Sequence, residues 1–176
     1  FIDNTSRINL IHRIGRKGLS GAVIEGIYAA KAELVGVMDC DLQHDESKLL
    51  DMLDLFSKSS SLDLVIGSRF TADGEISDKA FSKIREIGSK IITVIIKKIL
   101  SINSTDPLSG FFMVRKESFM KCSDNLQTQG FKILADFLSI SGKTIKIKEV
   151  GYKFKNRILG ESKMSFVTIL ELFSLV

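Results

Sequence analysis

Leu34-Val35-Gly36-Val37-Met38-Asp39-Cys40-Asp41-Leu42-Gln43 is the stretch on which the reading of the chain turns. An apolar run of strand length ends in two carboxylates one residue apart. Side chains alternate along a strand, so Asp39 and Asp41 share a side while the extended geometry lasts, and Gln43 follows the same alternation. Ligands of open α/β sheets collect beyond the carboxyl ends of strands. Asp39 and Asp41 there would make a hard-oxygen site suited to Mg²⁺ or Mn²⁺, with Gln43 as a further oxygen ligand, and such an ion suits a diphosphate. Taken alone, the stretch reads equally well as a strand running into a turn with solvated aspartates. Cys40 lies between the acids and faces the other way, which predicts burial.

Upstream, residues 8–13 form a short β-rich run, and Gly15 and Gly18 mark a turn. Residues 20–32 read as a helix with Ala22, Val23, Ile27 and Ala30 on one face. With the strand at residues 34–38 this makes a β-loop-α-β unit, the parallel unit of an α/β fold. The turn has neither Gly-x-Gly-x-x-Gly nor Gly-Lys-Ser/Thr, so it is no dinucleotide fingerprint and no P-loop.

Downstream, residues 46–58 read as a helix with Leu49, Leu50, Leu53 and Phe56 inward, and residues 62–66 as a strand. Arg69 follows that strand's end, where a phosphate would be met; a surface arginine is the plainer alternative. Residues 79–100 read as a long helix. Lys79, Lys83, Lys90 and Lys97 line a narrow arc beside a broad apolar one, and Arg85 and Ser89 share a further face. Such a helix can lie in a membrane interface, or pack on a sheet with its lysines solvated. Asp106-Pro107-Leu108-Ser109-Gly110 is a turn, with Pro107 presetting it and Gly110 leaving room for close approach. A strand over residues 111–114, a helix over residues 130–139 with Ile133, Leu134 and Phe137, and an alternating strand over residues 145–154 follow. Residues 156–163 are a polar loop, and an apolar helix begins at residue 166.

The chain has 176 residues, 44% hydrophobic and 26% charged, which indicates one globular domain and excludes disorder. A net charge of +4 suits phosphate-bearing ligands or an anionic membrane surface. Cys40 and Cys122 are far apart and lack metal spacing, which reads as a reduced, cytosol-facing protein. His12 and His44 lack metal-helix spacing; His12 reads as structural, and His44 lies beside the acidic motif with no role assigned. No apolar run reaches the roughly 18–20 residues of a membrane span. The chain begins at Phe1 rather than Met, so a fragment is expected.

Val37-Met38-Asp39-Cys40-Asp41-Leu42-Gln43-His44 with Glu46 resembles the aspartate motif of family 2 glycosyltransferases of the GT-A fold, in particular the dolichyl- and polyprenyl-phosphate sugar synthases. Four further blocks agree in order: Gly67 to Phe70, Asp106 to Phe112, Gly130 to Leu134, and Arg157 to Lys163. Cys40 stands where the family has alanine, and Asp45 where it has proline. The resemblance implies a single nucleotide-diphospho-sugar transferase domain over residues 1–176, a Rossmann-like α/β fold with a mixed, mostly parallel sheet flanked by helices, short of its N-terminal strands, with residues 79–100 at a membrane interface. It implies catalytic roles for Asp39 and Asp41, metal binding by Asp41, Gln43 and Asp39, and donor binding by Asp39, Cys40, Asp41, Gln43, Arg69, Arg157 and Lys163. Arg69, Arg85 and Ser89 resemble an acceptor-phosphate site. Asp106 and Asp136 are the remaining acidic candidates for assisting, although the family often has Glu at the latter position.

The implied reaction is an inverting, Mg²⁺- or Mn²⁺-dependent transfer of a hexose, mannose or glucose, from a nucleotide sugar such as GDP-mannose to dolichyl or polyprenyl phosphate. It would run at the cytoplasmic face of a membrane, with no nucleic-acid partner. Three alternatives stay open: a soluble saccharide or protein acceptor, a non-catalytic membrane-surface or metal-binding module, and a phosphatase of the haloacid-dehalogenase type. The last expects Thr two residues beyond the second Asp, where this chain has Gln43.

Overall fold

The computed structural model describes residues 8–15, 18–76, 103–128 and 133–155. The helix expected over residues 79–100, with Arg85 and Ser89, lies outside them, as do residues 129–132, Arg157, Lys163 and the segment from residue 166.

Helix α1 is Leu19–Ala29. Gly15 and Gly18 ahead of it have φ of 69° and 103°, a region glycine enters without a Cβ clash. Arg13 donates to the Gly18 carbonyl at 2.9 Å and pairs with Glu25 at 3.2 Å, which ties the approach to the helix. Residues 8–13, expected as a strand, form none, and Ile8 and Leu10 stand exposed. A strand needs a neighbouring edge for its N–H and C=O groups, and no described strand pairs with this run. The expected β-loop-α-β unit therefore begins at its helix.

Strand β1 is Leu34–Val37, helix α2 is Lys48–Ser57, and strand β2 is Leu64–Ser68. A short strand β3, Glu75–Ile76, comes next. Beyond the undescribed segment come strand β4, Phe112–Arg115, and helix α3, Lys116–Met120. Helix α4 is Ile133–Ser141, strand β5 is Ile147–Gly151, and strand β6 is Lys153–Phe154.

Among the described residues, four strands form one sheet in the order β1-β4-β2-β5. β4 runs antiparallel to both β1 and β2, and β2 runs parallel to β5. Three strands thus share a direction, while two of the three pairings are antiparallel, so the sheet is mixed. The run expected as one strand over residues 145–154 divides at Tyr152: β5 stays in the main sheet and β6 pairs in parallel with β3.

Alternation along β2 and β4 builds a core on each face. Leu64, Ile66, Phe112 and Val114 pack with Ile27 of α1, Phe119 of α3 and Ile133, Leu134 and Phe137 of α4. Val65, Phe111 and Met113 pack on the other face with Met52 and Phe56 of α2 and with Tyr152 and Phe154. Each of these large side chains contributes roughly 1.5–3 kcal/mol when fully buried. Leu50 and Leu53 were expected inward in α2 but are 72% and 44% exposed. Met52 takes the inward place with Phe56, four residues on, and packs in the same core as Val65.

Candidate active site

β1 stops at Val37, so the strand alternation does not reach the acids. Cys40 is exposed, contrary to expectation, because the rule that turned it inward lapses with the strand. The chain bends instead, and Leu42 adopts φ 62°, a left-handed conformation that costs a leucine roughly 1–2 kcal/mol. Its neighbour holds the bend. Gln43 is buried; its side-chain amide donates to the Lys155 carbonyl at 3.0 Å, and the Lys155 N–H donates to the Gln43 carbonyl at 2.8 Å. The Gln43 backbone N–H donates to Asp41 Oδ1 at 3.2 Å. Gln43, expected as an oxygen ligand, thus latches the acidic bend to the chain just beyond β6.

Asp39 lies against the turn before β4. A Cβ built on Gly110 would stand 2.3 Å from Asp39 Oδ2, so the carboxylate occupies the space that glycine leaves. The Asp39 side chain is 38% exposed, which leaves part of it facing solvent. It also walls a small apolar pocket with Leu19, Val23, Leu108, Phe112 and Ile133.

On the inner side of the bend, His44 is buried among Phe111, Tyr152 and Phe154, with ring centroids 5.4, 5.5 and 5.6 Å away. Its Nδ1 lies 2.7 Å from the Tyr152 hydroxyl, and its Nε2 lies 3.6 Å from Asp39 Oδ2. Burial pushes the Tyr152 phenol well above its ordinary pKa, against the opposing pull of the nearby Arg69 charge.

Arg69, at the end of β2, donates through Nε and Nη2 to both oxygens of Asp106, at 2.7 and 2.8 Å. Its backbone N–H reaches Asp106 Oδ2 as well, at 3.2 Å. Burial opposes the Arg69 charge, but Asp106 outweighs it and the guanidinium pKa is raised. Phe70 and Phe154 lie under the guanidinium at 5.2 and 5.5 Å. The loop that carries Asp106 is fixed from β5: Glu149 accepts from the Ser104 hydroxyl, the Thr105 N–H and the Thr105 hydroxyl, each at 2.7 Å.

Asp39, Asp41, Gln43, Arg69 and Asp106 are therefore grouped around one end of the sheet. Asp136 is buried within α4. Sequence reasoning missed His44, Tyr152 and Glu149; the only signal was the place of His44 beside the acidic motif. Among the described residues, no cluster of three or more His, Cys, Asp or Glu side chains is set to hold a metal by itself. Two carboxylates in a partly open bend still fit Mg²⁺ or Mn²⁺, which commonly take one or two carboxylates and complete their shell with water and substrate phosphate. No helix among the described residues is long and apolar enough to cross a membrane.

The family model for glycosyl transferase family 2 matches residues 1–123. A dolichol-phosphate mannosyltransferase of Pyrococcus furiosus is 37% identical over 166 residues, covering 93% of this chain and 45% of that protein. One from Mycosarcoma maydis is 34% identical over 158 residues, covering 89% of this chain and 52% of that protein. The chain thus spans about half the length of these curated relatives. In three dimensions it is similar to glucosyl-3-phosphoglycerate synthase from Mycobacterium tuberculosis, solved with Mg²⁺ and uridine diphosphate. That match has a TM-score of 0.60 at 16% identity and covers 90% of this chain and 54% of that one. The shared fold is the GT-A fold, an α/β fold with a mixed sheet flanked by helices.

Proposed function

Because the chain belongs to glycosyl transferase family 2, we propose that the full-length protein transfers a hexose from a nucleotide sugar to dolichyl or polyprenyl phosphate. The observation that carries this reading is the Asp39–Asp41 bend lodged against Gly110, in a chain whose curated relatives are dolichol-phosphate mannosyltransferases. Mannose with GDP as the leaving nucleotide is the first donor to try, and glucose the second.

The acceptor needs little base catalysis. A phosphomonoester is already largely anionic near neutral pH, its second pKa being about 6. One of its oxygens attacks the anomeric carbon as the bond from that carbon to the donor's β-phosphate oxygen breaks. A single in-line displacement of this kind inverts the anomeric centre. The protein's task is to hold two anions in line and to offset their repulsion.

Asp41 and Asp39 are the proposed oxygen ligands of Mg²⁺ or Mn²⁺, with Gln43 holding the bend that presents them and offering its oxygen as a further ligand. When bound, the ion would supply charge neutralisation of the leaving diphosphate. Arg157 and Lys163 are proposed to grip the donor diphosphate, and Arg85 and Ser89 the acceptor phosphate; these assignments rest on the motif resemblance. A phosphate contact by Arg69 would be made beside its pairing with Asp106. Residues 79–100 are proposed as an interfacial helix that brings this single catalytic domain to the lipid, on the cytoplasmic face of the membrane. The two free cysteines, Cys40 and Cys122, support a reducing compartment.

The test is acceptor choice. Nucleotide-sugar consumption by the full-length protein should depend on added polyprenyl phosphate. Equal turnover with a soluble saccharide, and none with the lipid, would overturn the acceptor assignment.

A further inference from the structure

We infer that His44 is a positioning residue for Asp39, with its Nε2–H turned to the carboxylate and its Nδ1 accepting from the Tyr152 hydroxyl. The role assigned to Asp39 rests on the transfer-site reading above; the tautomer does not. His44 is buried, and its two ring nitrogens face two different partners: Nδ1 lies 2.7 Å from the Tyr152 hydroxyl and Nε2 lies 3.6 Å from Asp39 Oδ2. A carboxylate only accepts, so the nitrogen turned toward Asp39 is the one that carries the proton. In the neutral ring the other nitrogen is then an acceptor, and Tyr152 must donate to it. Tyr152 keeps the proton this requires, since burial holds its phenol protonated.

The arrangement has support on each side. The Tyr152 backbone N–H donates to the Ser68 carbonyl at 3.2 Å, which fixes Tyr152 against the end of β2. Phe111 and Phe154 limit rotation of the imidazole. Asp39 is also bounded by Gly110, where even a methyl group would collide with its carboxylate. Asp39 Oδ2 thus meets both the space that the glycine leaves and the His44 ring, while the side chain stays partly open to a ligand. At 3.6 Å the contact is long, as such contacts often are before a ligand orders them. If His44 merely filled the aromatic core, its nitrogens would have no bearing on Asp39.

Long-range ¹H–¹⁵N spectra of the ¹⁵N-histidine-labelled full-length protein read the tautomer directly, whatever the protein's activity. The Nε2–H form is expected, with the Nδ1 resonance moving in Tyr152→Phe, which deletes only a hydroxyl. A ring protonated at Nδ1 would overturn the inference. Mn²⁺ affinity, read from the electron paramagnetic resonance of the free ion, tests the consequence. His44→Phe keeps an aromatic ring in the cage but loses the N–H, and should weaken Mn²⁺ binding about ten-fold, the scale of one hydrogen bond to a charged group. His44→Gln, which can restore an N–H, should recover most of that loss, and Tyr152→Phe should add nothing in the His44→Phe background. Wild-type Mn²⁺ affinity in folded His44→Phe would overturn the positioning role. A wild-type protein that binds no Mn²⁺ would instead overturn the transfer-site reading, and the tautomer would still decide whether Nδ1 accepts from Tyr152.

Discussion

Arg69 and Asp106, separated by 37 residues in sequence, form a two-pronged ion pair in which the carboxylate is fully buried and the guanidinium nearly so. The pair joins the end of β2 to the loop that leads into β4. Removing one partner of such a pair leaves a buried charge uncompensated and typically costs about 3–5 kcal/mol. Asp106→Ala should therefore lower the urea midpoint by a corresponding amount. Adding Arg69→Leu should return part of that loss, because the stranded charge goes with it. A cost below about 1 kcal/mol, the scale of an exposed pair, would show that Arg69 finds solvent or another partner.

Gly110 leaves the space that the Asp39 carboxylate fills. Gly110→Ala places a methyl group on an oxygen of a short side chain, so Asp39 must move. Since misplacement by about 1 Å can cost a hundred-fold in rate, transfer should fall by roughly that factor. The fold should persist, because the atom displaced is at the edge of the core. Wild-type transfer by Gly110→Ala would show that the pose of Asp39 against Gly110 is not the working one.

Asp41 anchors the bend through the Gln43 N–H at 3.2 Å and supplies one of its two charges. Asp41→Asn keeps an oxygen for that hydrogen bond and removes the charge. Mn²⁺ affinity should fall sharply, and transfer should drop by roughly a thousand-fold, the scale of several kcal/mol of charge stabilisation. A folded Asp41→Asn protein with unchanged Mn²⁺ affinity and turnover would remove Asp41 from the site.

Tyr152 has its pKa raised in the folded protein, first by burial, above an ordinary value of about 10. The folded state then binds a proton that the unfolded state releases, so this contribution to stability is intact below about pH 10 and is lost as pH rises further. Denaturation midpoints followed into the alkaline range should fall in the wild type and fall less steeply in Tyr152→Phe. Parallel curves for the two proteins would contradict that assignment.

Much of the fold could be read along the chain, because it follows from periodicity. The strands expected over residues 62–66 and 111–114 form close to those bounds, and the expected face of Ile133, Leu134 and Phe137 in α4 is buried. The errors fall where periodicity underdetermines the answer. Leu49, Met52 and Phe56 make as good a stripe as one through Leu50 and Leu53, and hydrophobicity alone favoured the leucines. Residues 8–13 have strand composition, but no strand among the described residues pairs with them. At the site, the acids were legible as a motif, but their geometry was not, since it depends on a left-handed Leu42. The pairings that hold the site join residues far apart in sequence, 37 residues for Arg69 and Asp106 and 108 for His44 and Tyr152. Nothing local in the sequence signals them.

The central claim is that these acids serve sugar transfer to a lipid phosphate, and the product tests it most directly. The full-length protein would be incubated with GDP-mannose labelled in the sugar, polyprenyl phosphate and Mn²⁺, and the lipid fraction analysed by mass and anomeric configuration. The account predicts a mannosyl-phosphoryl polyprenol of inverted configuration, formed by the wild type and lost in Asp41→Asn and on chelation. A labelled lipid of retained configuration, or formed equally well by Asp41→Asn, would contradict it.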